Sequence, residues 1–569
     1  MKSKISGIIQ KSLKEMKISL DKEEIENYLE TPPSSEMGDY AFPCFFLAGK
    51  LKKNPNQIAI ELRSKIGNHS KIFQDVQTRG PYINFFLNRI ILAENLISTI
   101  LKQKENFGKL NLSKNKTMVE FPSPNTNKPL HLGHLRNMSI GESVSRILEF
   151  EGENVVRANL NNDRGIHICK SMLAYQKWGK NKKPTKKIKS DHFVGDFYVL
   201  FNKKLKQNTK LDVEAHELLG KWEKGDKPTI QLWKKMNKWA LDGFKETYKK
   251  FGIKFDKEYF ESNIYNAGRE IVKEGVEKGI FKQEKDKSVK INLEKEKLGE
   301  KYLLRPGGTT LYITQDLYLA KLKLEQFNLN KSIYITGNEQ EYHFNVLFTL
   351  LKKLGYSFAD QLYHLSYGMV NLPDGKMKSR EGTIVDADDL INKIQELVKK
   401  ELSKREKLSK KEIETRSLKI ALSAIKYFLL KIDIKKNMIF NPKEAISFEG
   451  DTGPYLLYSY ARASSILKKS NSKKKKQNNS LENLEIKEIE LVKKLEKFPE
   501  IVLKSYNTLN PSLIANYSYQ LAQIFNEFYH ACPVIGDKKE QFRLKLVNSF
   551  KIVLKNSLNL IGIEEIERM

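Results

Sequence analysis

The sequence predicts a doubly wound parallel α/β domain, preceded by a small α+β domain and followed by an all-helical one. Three observations lead there. From about 117 to 395, short apolar runs that read as strands alternate with helix-length segments, the clearest being Asn154-Val155-Val156-Arg157-Ala158-Asn159-Leu160 and Ser332-Ile333-Tyr334-Ile335-Thr336. Before about 110, helical periodicity is mixed with a strand-like run. After 396 no convincing strand is found, while helical patterning continues to Met569. The expected domains are therefore 1–110, 111–395 and 396–569.

In chain order, Met1 to Met16 reads as an ordinary first helix, because it is basic but carries Glu15 and lacks the long apolar core of a leader. Ile58, Leu62 and Ile66 recur at i, i+4 and i+8, a helical spacing. Tyr82 to Leu87, after Gly80-Pro81, reads as a strand, and Asn111 to Lys116 as a linker. Met118-Val119-Glu120-Phe121 reads as a buried strand, and Ile140, Val144, Ile147 and Leu148 mark a helix after it. The Lys-rich stretch from about 180 to 260 is expected to be helical and inserted between the halves of the sheet. Leu365 to Val370 is strand-like. In the C-terminal part, Thr452 is placed to cap a helix whose first turn holds Pro454. A polar loop is expected at about 468–484, since Lys468 to Ser480 is nearly all Lys, Ser, Asn and Gln; a solvated loop is the simpler reading, direct RNA contact the alternative.

The chain has 569 residues, 40% hydrophobic and 30% charged, a balance that suits a soluble globular enzyme. No run reaches the roughly 20 apolar residues a bilayer span needs, so no membrane partner is expected. The net charge of +31 favours a polyanion such as nucleic acid. Abundant Lys, Asn and Ile would also follow from AT-rich coding, so about half of that excess is assigned no role. The 3 cysteines, Cys44, Cys169 and Cys532, are too scattered for a zinc knuckle, and their odd number argues against a disulfide framework; a reducing cytoplasm is expected.

The chemistry is concentrated in Pro124-Asn125-Thr126-Asn127-Lys128-Pro129-Leu130-His131-Leu132-Gly133-His134. Two histidines flank a glycine where a strand turns into a helix, the place where open α/β sheets bind phosphates. Donors fixed at a helix start stabilise negative charge on a phosphate held there. His131 and His134 suit that task, Gly133 lets a base lie against the backbone, and Lys128 adds positive charge. Zinc is not expected, for lack of partners at ligand spacing. A second candidate, Asp374-Gly375-Lys376-Met377-Lys378-Ser379-Arg380-Glu381-Gly382-Thr383, has glycines near both ends and three bases able to close over an anion.

His-Leu-Gly-His resembles the "HIGH" signature of class I aminoacyl-tRNA synthetases, and Lys376 to Arg380 resembles their "KMSKS" loop, with Ser379 in place of the usual lysine. The surroundings resemble the arginyl branch, whose members commonly depart at that point and carry a compensating lysine where this chain has Lys128. The resemblance spans nearly the whole chain, from Gly38-Asp39-Tyr40 onward. Tyr312 to Asp316 is similar to that branch's Tyr-x-x-x-Asp, Gln340 to His343 to its Gln-x-x-His, and Asn161-Asn162-Asp163-Arg164-Gly165 to its Gly-Asp-Trp-Gly, with Arg164 for Trp.

The resemblance implies a class I Rossmann-like catalytic domain, an N-terminal domain that contacts the tRNA elbow and a helical anticodon-binding domain. It implies ligation of L-arginine to tRNA(Arg) with ATP and with Mg²⁺ held mainly by the phosphates. His131, His134, Lys128, Lys376 and Lys378 would be catalytic. His131, Gly133, His134, Met369, Lys376 and Met377 would bind ATP. Glu120, Tyr312 and Asp316 would read the guanidinium, a cation that calls for paired carboxylates. Asn125 and Gln340 would hold the α-amino end. Activation is expected to require tRNA, and the chain to act as a monomer. Another class I synthetase, a tRNA-independent carboxylate-adenylating enzyme and a non-catalytic RNA-binding derivative are the rivals.

Overall fold

A computed structural model of the chain describes residues 1–371, 385–405, 408–470, 481 and 483–569. It divides into two compact units. The first comprises 1–104, 469–496 and 524–550; the second comprises 105–468, 497–523 and 551–569.

The first unit carries an antiparallel sheet of β1 (Tyr40–Pro43), β2 (Phe73–Arg79) and β3 (Tyr82–Leu87) in the order β1-β3-β2. Its core is covered by helices Lys2–Glu15 and Pro55–Ile66. The second of these begins where Asn54 accepts the Asn56 amide and Pro55 occupies the first turn. Its Ile58, Leu62 and Ile66 are buried, as their spacing predicts. Within the same unit Arg543 Nε donates to buried Glu488 at 2.6 Å.

The second unit is built on a parallel sheet of β4 (Lys116–Glu120), β5 (Asn154–Asn161), β6 (Lys257–Phe260), β10 (Lys331–Gly337) and β11 (Leu362–Tyr367), in the order β11-β10-β4-β5-β6. The chain enters at the centre, extends to one edge, and returns to build the other. An antiparallel sheet, β7 (Lys282–Gln283), β8 (Val289–Leu293) and β9 (Gly299–Leu304), lies between the halves in sequence. Met118, Val156 and Tyr334 are core residues of the main sheet, packed with helices Tyr312–Phe327 and Glu341–Lys353. Helices Ser190–Leu205, Lys210–Glu223 and Lys227–Phe251 form the insertion.

Several expectations change. The insertion does not reach 260, because Lys257–Phe260 is an edge strand paired with β5. The strand-like run 365–370 is two elements: β11 ends at Tyr367, and Val370–Asn371 is the short strand β12. Its partner β13 (Met438–Ile439) lies beyond 396, where no strand was expected. One continuous helix spans Ala387–Arg405, so a boundary at 395/396 falls inside it. The described part of the predicted polar loop begins as the last turn of helix Gly453–Ser470; 471–480 and 482 lie outside the described residues. Among the described residues no helix is long and apolar enough to cross a membrane.

Candidate active site

The neighbours β4 and β10 are where the sheet's connections change direction, and the crevice at the C-terminal ends of such strands is the place for a ligand. The turn after β4 is stitched to the end of β5: Phe121 donates to the Ala158 carbonyl at 3.0 Å, Asn162 to Pro124 at 3.0 Å, and Thr126 to Asn162 at 3.1 Å. The turn then feeds helix Leu132–Phe150, with His131 at its cap.

The cap fixes both imidazoles. His131 Nδ1 accepts the Gly133 amide at 3.1 Å, and His134 Nδ1 accepts the His131 amide at 3.0 Å. Each ring's remaining proton must therefore sit on Nε2. Burial, reinforced by the nearby Lys128 charge, pushes His131 down to about 3. Burial, His131 and Lys128 together hold His134 well below the usual histidine range. Both rings are neutral at pH 7, with N–H donors and no charge of their own. Burial also lowers the pKa of Lys128.

A cavity of about 870 Å³ opens here. Glu120, Asn125, Lys128, His131, Gly133, His134, Tyr312, Asp316, Gln340 and Met369 all line it, so residues predicted from four separate segments meet in one space. Pro124, Pro129 and Leu132 shape the turn without lining the cavity. Lys376, Met377 and Lys378, with the rest of 372–384, lie outside the described residues.

The cavity has an acidic end. Asp316 Oδ2 pairs with His343 Nε2 at 2.6 Å; burial works against charge on His343, but the Asp316 partner prevails and raises its pKa. Tyr312 stands at the mouth, 61% exposed. Glu261 also lines this end, 3% exposed, its carboxyl pushed up to about 7 by burial against the opposing pull of Arg164. Glu120 is already engaged: the fully buried Lys323 pairs with its carboxylate, and that ammonium lies 4.4 Å from the Tyr334 ring centre.

Sequence reasoning missed Glu261 and Lys323. Glu261 follows the last residue of β6, at the ligand-bearing edge of the sheet. Lys323 stands at i+7 from Asp316 on one helix, a same-face spacing that could have found it. Arg164 packs beneath the site, its guanidinium 4.1 Å from the Tyr265 ring centre and paired with Glu223 at 2.9 Å.

Two further contacts close the site. Arg136, with no exposed surface, donates to the carbonyls of Met369 at 3.1 Å, Ile434 at 3.3 Å and Lys436 at 2.9 Å. The segment Val385–Ala387 pairs with the histidine turn: Leu132 donates to Val385 and Ala387 to Leu130, each at 3.0 Å.

Family models match three stretches of the chain. Residues 96–442 match the class I (R) tRNA synthetase catalytic domain, 456–569 the DALR anticodon-binding domain, and 3–87 the arginyl-tRNA synthetase N-terminal domain. The chain belongs to the arginyl-tRNA synthetase family. Its relatives agree. The arginine–tRNA ligase of Treponema denticola is 49% identical over 560 residues, 95% of this chain and 94% of that protein. That of Borrelia duttonii is 43% identical over 588 residues, 100% and 99% of the two. The solved structure of Thermus thermophilus arginyl-tRNA synthetase covers all of both chains with a TM-score of 0.77 at 26% identity. An arginyl-tRNA synthetase family member is an ATP-consuming aminoacyl-tRNA ligase of class I, and the parallel sheet with its helical C-terminal domain is that fold.

Proposed function

We infer that the chain carries out arginine–tRNA ligation in two steps within this cavity. The carboxylate of L-arginine attacks the α-phosphorus of ATP, the bond to the bridging oxygen breaks, and pyrophosphate leaves arginyl-adenylate behind. The terminal ribose hydroxyl of tRNA(Arg) then attacks the arginyl carbonyl, loses its proton, and releases AMP. The observation that carries this reading is the meeting, in one cavity, of a fixed pair of neutral N–H donors with an acidic end suited to a cation.

The histidine Nε2–H groups donate to α-phosphate oxygens as charge builds there, and Lys128 adds its ammonium. The adenine lies by Gly133 and Met369. The guanidinium goes to Asp316 and Tyr312, with Glu261 and the free oxygen of Glu120 completing the acidic end. Asn125 and Gln340 hold the α-amino group. Lys376 and Lys378, with Met377, are assigned to the pyrophosphate side on their motif alone. The N-terminal domain meets the tRNA elbow and the DALR domain the anticodon. Among the described residues the one carboxylate–histidine cluster with ligand spacing, Asp191, His192 and Asp388, already holds Lys189 Nζ at 2.6 Å from Asp388, so its donor set does not fit a dedicated Mg²⁺ cage. Mg²⁺ belongs instead to the MgATP substrate, where it neutralises phosphate charge. The protein acts in the cytoplasm as a monomer, and activation requires tRNA.

ATP–pyrophosphate exchange with single amino acids, with and without tRNA, tests this. Exchange with arginine alone, and only when tRNA is present, is expected. Exchange driven by another amino acid, or none at all, overturns the assignment.

A further inference from the structure

The start of the helical insertion meets the segment that pairs with the histidine turn. Lys189 Nζ lies 2.6 Å from Asp388 Oδ2, 3.2 Å from Asp191 Oδ2 and 2.5 Å from Thr247 Oγ1. Thr247 also donates to Asp388 at 2.9 Å. His192 Nε2 lies 3.2 Å from Asp386 Oδ2 and 3.6 Å from Asp388 Oδ2. Asp386 meanwhile accepts the amides of Asp388 and Asp389 through its other oxygen, at 2.8 and 3.0 Å, which fixes the first turn of helix Ala387–Arg405. These contacts draw together two inserted helices and the segment 385–389.

The insertion also sits directly on the histidine turn. A Cβ at Gly195 would come within 2.6 Å of Pro129 Cδ, so only a glycine lets helix Ser190–Leu205 lie so close. Asp191 has no exposed surface, and a Cβ at Gly243 would come within 2.4 Å of its Oδ1. The cluster is thus packed as well as charged. Burial opposes the charge on His192, yet Asp386 and Asp388 prevail and push it up to about 10. Against the opposing effect of burial, His192 and Lys189 hold Asp388 below the usual carboxylate range. His192 and Asp388 therefore carry opposite charges at neutral pH.

We propose that Lys189, Asp191 and His192 are positioning residues for adenylate formation: through Asp386 and Asp388 they clamp the segment Val385–Ala387 against Leu130–Leu132, and so hold His131 where its N–H reaches the reacting phosphate. This rests on the role given to His131 above. None of the three touches substrate. Their work is to keep a donor in place, where a misplacement of about 1 Å can cost up to about a hundredfold in rate.

The test uses full-length protein with tRNA, in arginine-dependent ATP–pyrophosphate exchange, with thermal melting recorded alongside. Lys189→Met is expected to lower kcat about tenfold or more, with KM for ATP and for arginine within about threefold of wild type. Lys189→Arg should recover much of the rate. In the cycle of Lys189→Met with Asp388→Asn, the double variant should lose no more kcat than the worse single one, because one contact is removed twice. If Lys189→Met does not fold, His192→Ala, at the more exposed side of the cluster, gives the same reading. Wild-type kcat in a folded variant, losses that multiply in the cycle, or a fall in rate matched by the fall in active-site concentration overturns the proposal. Absence of arginine exchange in the wild type would instead overturn the functional reading on which it stands.

Discussion

His131 and His134 show how much a helix cap can decide. Each ring spends its Nδ1 on a backbone amide, so each presents Nε2–H, and burial keeps both uncharged. A neutral donor binds the α-phosphate without forming a permanent ion pair with it, and strengthens as charge accumulates there. At the other end of the cavity, Asp316→Asn should lower kcat/KM for arginine about a hundredfold, by leaving the guanidinium without its carboxylate, while KM for ATP stays unchanged. Exchange kinetics with each substrate varied in turn check both halves; an unaltered arginine kcat/KM removes Asp316 from recognition. That Asp316 lines the cavity was legible because it stands four residues after Tyr312 on a helix that the family resemblance marks; its role there is what the exchange kinetics test. The Glu120–Lys323 pair was not, because it joins a strand to a helix remote in sequence, and no local pattern announces which carboxylate a buried lysine will meet. Likewise Arg136 reads in the sequence as one more base in a basic chain, and only its burial against three carbonyls reveals its task.

At the level of elements, the buried strands β4, β5 and β10 were readable because each is a short apolar run bounded by turns. The edge strand β6 was not: Lys257-Glu258-Tyr259-Phe260 opens on two charges and buries only Tyr259 fully, so it lacks the apolar run. A two-residue strand such as β13 has no periodicity to detect; it exists because β12 lies alongside. The inserted helices give a paired prediction. Gly243→Ala forces a methyl toward Asp191 and should destabilise by about 1–3 kcal/mol. Gly220→Ala, in helix Lys210–Glu223 with nothing within 4 Å of its added Cβ, should stabilise by about 0.5–1 kcal/mol. Denaturant melts of the two variants check the contrast; equal effects would mean the close approach at Gly243 is absorbed elsewhere.

For the whole molecule, the net charge of +31 is the one property that no single site accounts for. If a share of it steers tRNA, raising salt from about 50 to about 200 mM should raise KM for tRNA at least about tenfold, because released counterions set the slope, and leave KM for arginine within about twofold. A salt-insensitive tRNA KM would assign the excess to composition. The path of the chain through the sheet bears on something else. Among the described residues Arg136 finds its carbonyl partners at Met369, Ile434 and Lys436, and Val370 pairs with Met438. While the polypeptide is being translated, both histidines emerge long before those partners do. The wall at Met369 is thus braced by residues made long after the histidine turn, and a chain that ended before Ile434 would lack that brace.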